Sequence, residues 1–195
     1  MGLKGQITRA TFLEWDSMLV LLQKLERDGE YKFLLLIATG CFVALRISDL
    51  LQLRWIDVLD QDQLVITEGK TRKVRRIAIN PKLASVISRM HSKMDIVDNN
   101  QYLFLNRFGT KPINVQYVNR KLKEIAKKYK LNIPLSGTSS HMFRKTLGRH
   151  VWAMNNYSEK SLLLLGELFN HSSIKITKTY LAIKEQEIGD VYLNL

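Results

Sequence analysis

The sequence predicts an α+β domain, mostly helical, with a small antiparallel three-stranded sheet packed at one edge. Apolar residues recur at helical spacing in several segments separated by turn residues. One stretch, Glu30 to Leu45, is apolar nearly all round and reads as a central buried helix. Among these lie two β-branched, alternating runs, Gln63 to Thr67 and Val74 to Ile79, joined by Glu68-Gly69-Lys70-Thr71-Arg72-Lys73 as a hairpin.

In chain order, Thr8 or Thr11 can cap a first helix reaching about Arg27, where Phe12, Trp15, Leu19, Leu22 and Leu25 keep a helical period and Asp28-Gly29 ends it. Gly40 is the weak point of the central helix. Arg46 follows at once, and Ser48 or Asp49 can open a short helix carrying Leu50, Leu51 and Leu53 inward. After the hairpin, Asn80-Pro81 starts a helix to about Met90. Tyr102 to Leu105 is expected as the third strand, and Gly109 to Pro112 as a turn. Asn114 to Tyr129 reads as a basic amphipathic helix with Val115, Val118, Leu122 and Ile125 inward. A linker from Pro134 to Ser140 leads to a helix capped by Ser139 or Ser140. Leu162 to Leu165, with Leu168 and Phe169, is expected as core.

A length of 195 residues with 46% apolar content fits one domain. The expected organisation is a linker over 1–10, one folded domain over 11–182 and a tail over 183–195. In that tail Ile188, Val191, Tyr192, Leu193 and Leu195 are apolar enough to dock on a neighbour or on the chain's own core. The single Cys41, in an apolar context, fits a core position and a reducing, cytoplasmic setting. The longest mostly apolar run, Phe33 to Leu45, is too short to span a bilayer.

The net charge of +12, from 30 basic and 18 acidic residues, implies an anionic partner. Basic residues cluster in Lys70 to Arg76 and in Arg120 to Lys130. Neither cluster is an amphipathic helix with Trp and Leu on its other face, so nucleic acid is favoured over a membrane surface. Arg72, Lys73, Arg75, Arg76, Arg120, Lys121 and Lys145 are the candidate DNA contacts.

The residues with chemical capacity concentrate between His141 and Tyr180. His141 and Arg144 stand at i, i+3 and share one helix face, so both can address one oxygen-rich group. His171 and Tyr180 follow. Upstream, Arg46 lies between Leu45 and Ile47, where an unpaired guanidinium is costly to bury. It either pairs with Asp49 at the surface or is held on a rigid element facing phosphate, to which its planar fork donates two bonds. Lys70 at the hairpin tip is either a solvated turn residue or a groove-reaching proton donor, with Lys73 its rival.

Four motifs together resemble the tyrosine recombinases of the phage-integrase family. They are Leu45-Arg46-Ile47-Ser48-Asp49-Leu50-Leu51-Gln52-Leu53, Gly69-Lys70-Thr71-Arg72-Lys73, His141-Met142-Phe143-Arg144, and Asn170-His171-Ser172-Ser173 followed by Tyr180-Leu181. The sequence departs from the family pattern with Ala44 for the usual glycine, Asp49 for glutamate, Lys145 for a frequent histidine and Phe169-Asn170 for Leu-Gly. None of these removes a reacting group.

The resemblance implies an integrase-like catalytic domain that acts as a site-specific recombinase on double-stranded DNA, as a tetramer on two sites, with no metal or other cofactor. It implies Tyr180 as nucleophile, Arg46 and Arg144 as the phosphate clamp, Lys70 as general acid, His141 as an aid to proton removal from Tyr180 and His171 as a hydrogen-bond donor. The absence of a family-type N-terminal DNA clamp favours a catalytic-domain fragment over a short single-domain member. The alternatives are a type IB topoisomerase-like enzyme and a DNA-binding module without cleavage.

Overall fold

The computed structural model describes residues 11–183 and Leu193; the expected 1–10 linker and the rest of the tail lie outside the described residues. Eight α-helices and one hairpin are seen among them. They are α1 (Trp15–Arg27), α2 (Tyr31–Val43), α3 (Ile47–Leu50), β1 (Gln63–Thr67), β2 (Val74–Ala78), α4 (Pro81–Lys93), α5 (Val115–Lys128), α6 (His141–Met154), α7 (Glu159–Phe169) and α8 (Ile174–Leu181). Short 3₁₀ turns cover Trp55–Asp57 and Leu135–Gly137.

The central helix is as the hydropathy requires: from Phe33 to Cys41 every residue of α2 is buried, Cys41 included. Around it, α1, α4 and α6 pack their apolar faces and enclose the larger core. A second, smaller core gathers Trp152, Leu162, Leu165, Phe169, Leu181 and Ile183 from α6, α7, α8 and the residues after it, with Ala44 at its edge. Ile183, the first tail residue, is therefore fixed on the chain's own core, whereas Leu193 is exposed.

β1 and β2 pair antiparallel, Gln63 opposite Ala78 and Thr67 opposite Val74, and the sheet has two strands, not three. The expected third strand makes only isolated bridges, Arg54 with Tyr102 and Leu105 with Pro112. Leu103 and Phe104 are both buried, which is inconsistent with one face turned to solvent. Their backbone bonds go to Leu53 and Ile113 rather than to the hairpin.

Three further expectations are corrected. α1 is preceded by Glu14, because Thr11 is drawn away by a backbone bond to Gly137, and the neighbouring Leu13 N–H donates to Thr146 Oγ1 at 3.0 Å. Neither Ser139 nor Ser140 caps α6 with its side chain; Ser140 already has helical dihedrals, and its N–H is taken by Asn119 Oδ1 at 2.9 Å. In α7 only Leu162 and Leu165 of the leucine run face the core, while Leu163 and Leu164 stand half-exposed, since consecutive helical residues are about 100° apart. Asn80 and Asn114 cap α4 and α5 through their side chains as their positions suggest.

Close approach of α2 and α6 depends on Gly40. A Cβ there would meet the Phe143 ring, with its Cγ at 2.8 Å. Gly40→Ala is expected to lose about 1–3 kcal/mol by overpacking, outweighing the helix-propensity gain of about 1 kcal/mol. Urea unfolding of the variant beside the parent checks this; equal midpoints would show that the two helices can separate freely.

Candidate active site

At the end of α2 the chain turns through Ala44, which is left-handed (φ 48°) and fully buried. A non-glycine residue is strained there, which explains why glycine suits this position. The turn delivers Arg46 in extended conformation from the core to the start of α3. Arg46 does not pair with Asp49. Its Nη1 donates to Glu68 Oε2 at 2.7 Å, and Asp49 instead accepts the Gly69 N–H at 3.1 Å, because its place in the first turn of α3 faces the hairpin backbone.

Glu68, the partner of Arg46, was not singled out in the sequence. Its side chain is only 2% exposed, yet Oε2 also accepts from the Thr71 hydroxyl at 2.7 Å and Oε1 from Arg75 Nη1 at 3.2 Å. Burial alone would raise this carboxyl, but the bonds from Thr71, Arg46 and Arg75 outweigh it and hold the pKa down at about 2. The signal available in the sequence was register: Leu64, Ile66 and Glu68 share the inward period of β1.

Arg144 enters from the first turn of α6 and is buried at 7% exposure. Its Nη1 donates to the Ala44 carbonyl at 2.8 Å and its Nη2 to the Phe169 carbonyl at 3.1 Å, and the guanidinium lies over the Phe169 ring. The two carbonyls belong to the C-terminal ends of α2 and α7, where a cation is favoured. Five N–H donors are available to a guanidinium, so bonds remain for a ligand.

α7 ends in Asn170, again left-handed (φ 56°), a conformation asparagine tolerates. His171 follows, with its Nδ1 at 3.1 Å from Thr177 Oγ1. The Thr177 hydroxyl also donates to the Ser173 carbonyl at 3.4 Å, so His171 is held against the start of α8. Burial first, then the charges of Arg144 and Arg46, lowers the His171 pKa. His141 is lowered too, by burial and then by Arg144 and Lys145.

Ser173 caps α8, whose last turn presents Tyr180. The phenol ring packs against Phe169 and His171, the Lys145 ammonium lies 5.5 Å from its centroid, and its hydroxyl is 3.4 Å from the His141 carbonyl. Burial raises the phenol pKa, opposed by the charge and hydrogen bond of Arg144. All six principal candidates, Arg46, Lys70, His141, Arg144, His171 and Tyr180, line one cleft of about 420 Å³.

The secondary candidates separate. Arg72 and Arg76 are exposed on the hairpin, whereas Arg75 is turned to Glu68 and Lys145 is buried beside Tyr180. Lys73 Nζ donates to Asn170 Oδ1 at 2.9 Å, linking the hairpin to the turn before His171. On α5, Arg120 and Lys121 are both paired with Glu124. Among the described residues no three His, Cys, Asp or Glu side chains form a group that could hold a metal ion, and no helix is long and apolar enough to cross a membrane.

The fold and cleft define a mostly helical domain with a cleft lined by Arg46, Lys70 and Arg144 and walled by a tyrosine. The sequence matches the Phage integrase family over residues 11–187. "Probable integrase/recombinase YoeC" of Bacillus subtilis (strain 168) is 34% identical over 88% of this chain and 86% of its own length. The chain belongs to the phage integrase family. "Tyrosine recombinase XerC" of Chlamydia caviae is 29% identical over 70% of this chain, but the match spans only 42% of that protein. In fold the chain is similar to XerA recombinase (TM-score 0.70, 17% identity, 94% of this chain and 64% of that one). It is also similar to the catalytic domain of bacteriophage HP1 integrase (TM-score 0.57, 19% identity, 88% and 86%).

Because the folded Glu68 carboxyl titrates below its ordinary 4.5, the folded state binds fewer protons in that range. Its contribution to stability, about 3 kcal/mol by linkage, is complete above pH 4.5 and lost as pH falls towards about 2. Glu68→Gln should flatten the acid limb of a stability–pH curve measured by chemical denaturation. An unchanged limb would mean that other carboxylates govern it.

Proposed function

We propose that this chain is the catalytic domain of a site-specific DNA recombinase, of integrase, excisionase or invertase type, that cuts and rejoins double-stranded DNA through a 3′-phosphotyrosyl intermediate. One observation carries this: Tyr180 shares a single cleft of its own chain with Arg46, Lys70, His141, Arg144 and His171. Membership of a family with relatives named as tyrosine recombinases supports the same reading.

The Tyr180 oxygen attacks the scissile phosphorus, the P–O5′ bond breaks, and Lys70 supplies the proton for the departing 5′-oxygen. Arg46 and Arg144, each rooted in the core, neutralise charge growing on the non-bridging oxygens. His171 donates a hydrogen bond to one of those oxygens. His141 assists loss of the phenol proton. Lys70 is the better-supported acid, since it lines the cleft while Lys73 is engaged by Asn170. The two guanidiniums supply the charge a metal would otherwise provide, and the phosphotyrosyl ester conserves the energy of the broken bond, so neither metal nor ATP is required. Attack by a 5′-hydroxyl then reverses the step on the same or another strand.

Arg72 and Arg76 follow the DNA backbone from the hairpin, with Arg120 and Lys121 on a second face; Arg75 and Lys145 serve the cleft instead. Exchange between two sites calls for a tetramer, acting in the cytoplasm where the DNA is.

Covalent capture tests the reading. DNA recovered with the protein after detergent denaturation should be attached at discrete sequences, and Tyr180→Phe should abolish attachment while retaining DNA binding. Binding without any adduct would make the chain a binding module, and relaxation without exchange a topoisomerase-like enzyme.

Both imidazoles titrate below the ordinary 6.5, so each is neutral at pH 7 and gains its proton only in more acid solution. Single-turnover cleavage should therefore fall along an acid limb with its midpoint below 6.5, and His141→Ala should remove most of that limb. A midpoint above 6.5 would contradict the assignment of the base.

A further inference from the structure

We infer that Glu68 is a positioning residue for strand cleavage: its buried carboxylate fastens the hairpin tip bearing Lys70 to Arg46 on the core, and so fixes where the Lys70 ammonium stands. The inference rests on the proposed role of Lys70 as proton donor.

Lys70 is exposed, in the turn between β1 and β2, at the edge of the molecule. A two-stranded hairpin has little rigidity of its own. Arg46, in contrast, leaves the end of a helix buried on nearly all sides. Glu68 joins the two. Through Oε2 it reaches back to Arg46 and forward to Thr71, the residue after Lys70, while Oε1 takes Arg75 from the opposite strand. Asp49 adds a second tie from α3, to the backbone of Gly69. Lys70 is thus bracketed by two anchored residues, Gly69 and Thr71.

The position of the carboxylate is itself informative. The inward register of β1 calls for an apolar residue after Leu64 and Ile66, and a charge there is costly unless fully bonded. Three donors from three different parts of the chain meet it. Arg46 stays with the core when the charge is lost, so the part set free is the tip, and with it the proton donor.

The test measures single-turnover cleavage of a duplex carrying the attachment sequence found by covalent capture. The duplex is made with either the natural 5′-oxygen or a bridging 5′-sulfur at the scissile phosphate. A thiolate leaves without a proton, so the sulfur substrate bypasses any defect confined to the acid. Lys70→Ala should be slower on the oxygen substrate by about 10²-fold or more and recover on sulfur. Glu68→Gln should behave alike, about 10²-fold slower on oxygen and within about threefold of the parent on sulfur, as expected of a misplaced acid. Glu68→Asp, which keeps the charge but is one methylene shorter, should show the same selective loss and serves if the glutamine variant does not fold.

Loss of equal size on both substrates, or no loss on oxygen, would overturn the inference. If the parent forms no adduct, or Lys70→Ala fails to recover on sulfur, the proposed chemistry falls and takes this inference with it; those results are read from proteins that retain Glu68.

Discussion

The buried guanidinium of Arg144 is the contact on which the rest of the cleft depends. It ties α6 to the carbonyl ends of α2 and α7, at Ala44 and Phe169. Each of those carbonyls sits beside a left-handed residue, or belongs to one, so the geometry that frees the oxygen is also the geometry that ends the helix. One side chain therefore links the larger core to the smaller one. Desolvating an arginine is expensive, and the carbonyls, helix ends and Phe169 face offset that cost only in this arrangement. The same charge that holds three helices together is the one directed at Tyr180.

The opposite wall follows a different rule. There the fixed group is negative, and the cations are gathered around it: Glu68 receives Arg46 and Arg75, and Lys70 is carried between its anchored neighbours. The buried Glu68 carboxylate thereby fastens the hairpin to the core while the cleft as a whole remains positive. The clasp between Lys73 and Asn170 closes the circuit from hairpin to α7. Electrostatic preorganisation in this domain is thus built from carbonyls on one side and a carboxylate on the other.

Much of the fold was legible. The all-round apolar α2, the asparagine caps of α4 and α5, and the β-branched hairpin follow from local chemistry that no tertiary contact overrides. Where the reading failed, distant partners had intervened. The run Tyr102 to Leu105 has the composition of a strand, but its backbone is claimed by Leu53 and Ile113. Ser140 has the chemistry of a helix cap, but its backbone is already helical, so its hydroxyl caps nothing. Leucine runs announce burial without saying which members receive it, and Leu163 with Leu164 falls on the wrong side of α7.

By itself the sequence determined which groups belong together: Arg46, Lys70, His141, Arg144, His171 and Tyr180 are singled out by residue type and motif, and all six line one cleft. It also determined the cationic balance that suits a polyanion. The tertiary structure alone decided what each charge faces. Arg46 meets Glu68 rather than the nearby Asp49, Arg75 and Lys145 turn inward although they read as surface cations, and Thr177 is the group that meets Nδ1 of His171. The reason is physical: spacing along a chain constrains neighbours within a turn or two, whereas the partner of a buried charge is whichever group packing brings within about 3 Å, from any distance in sequence.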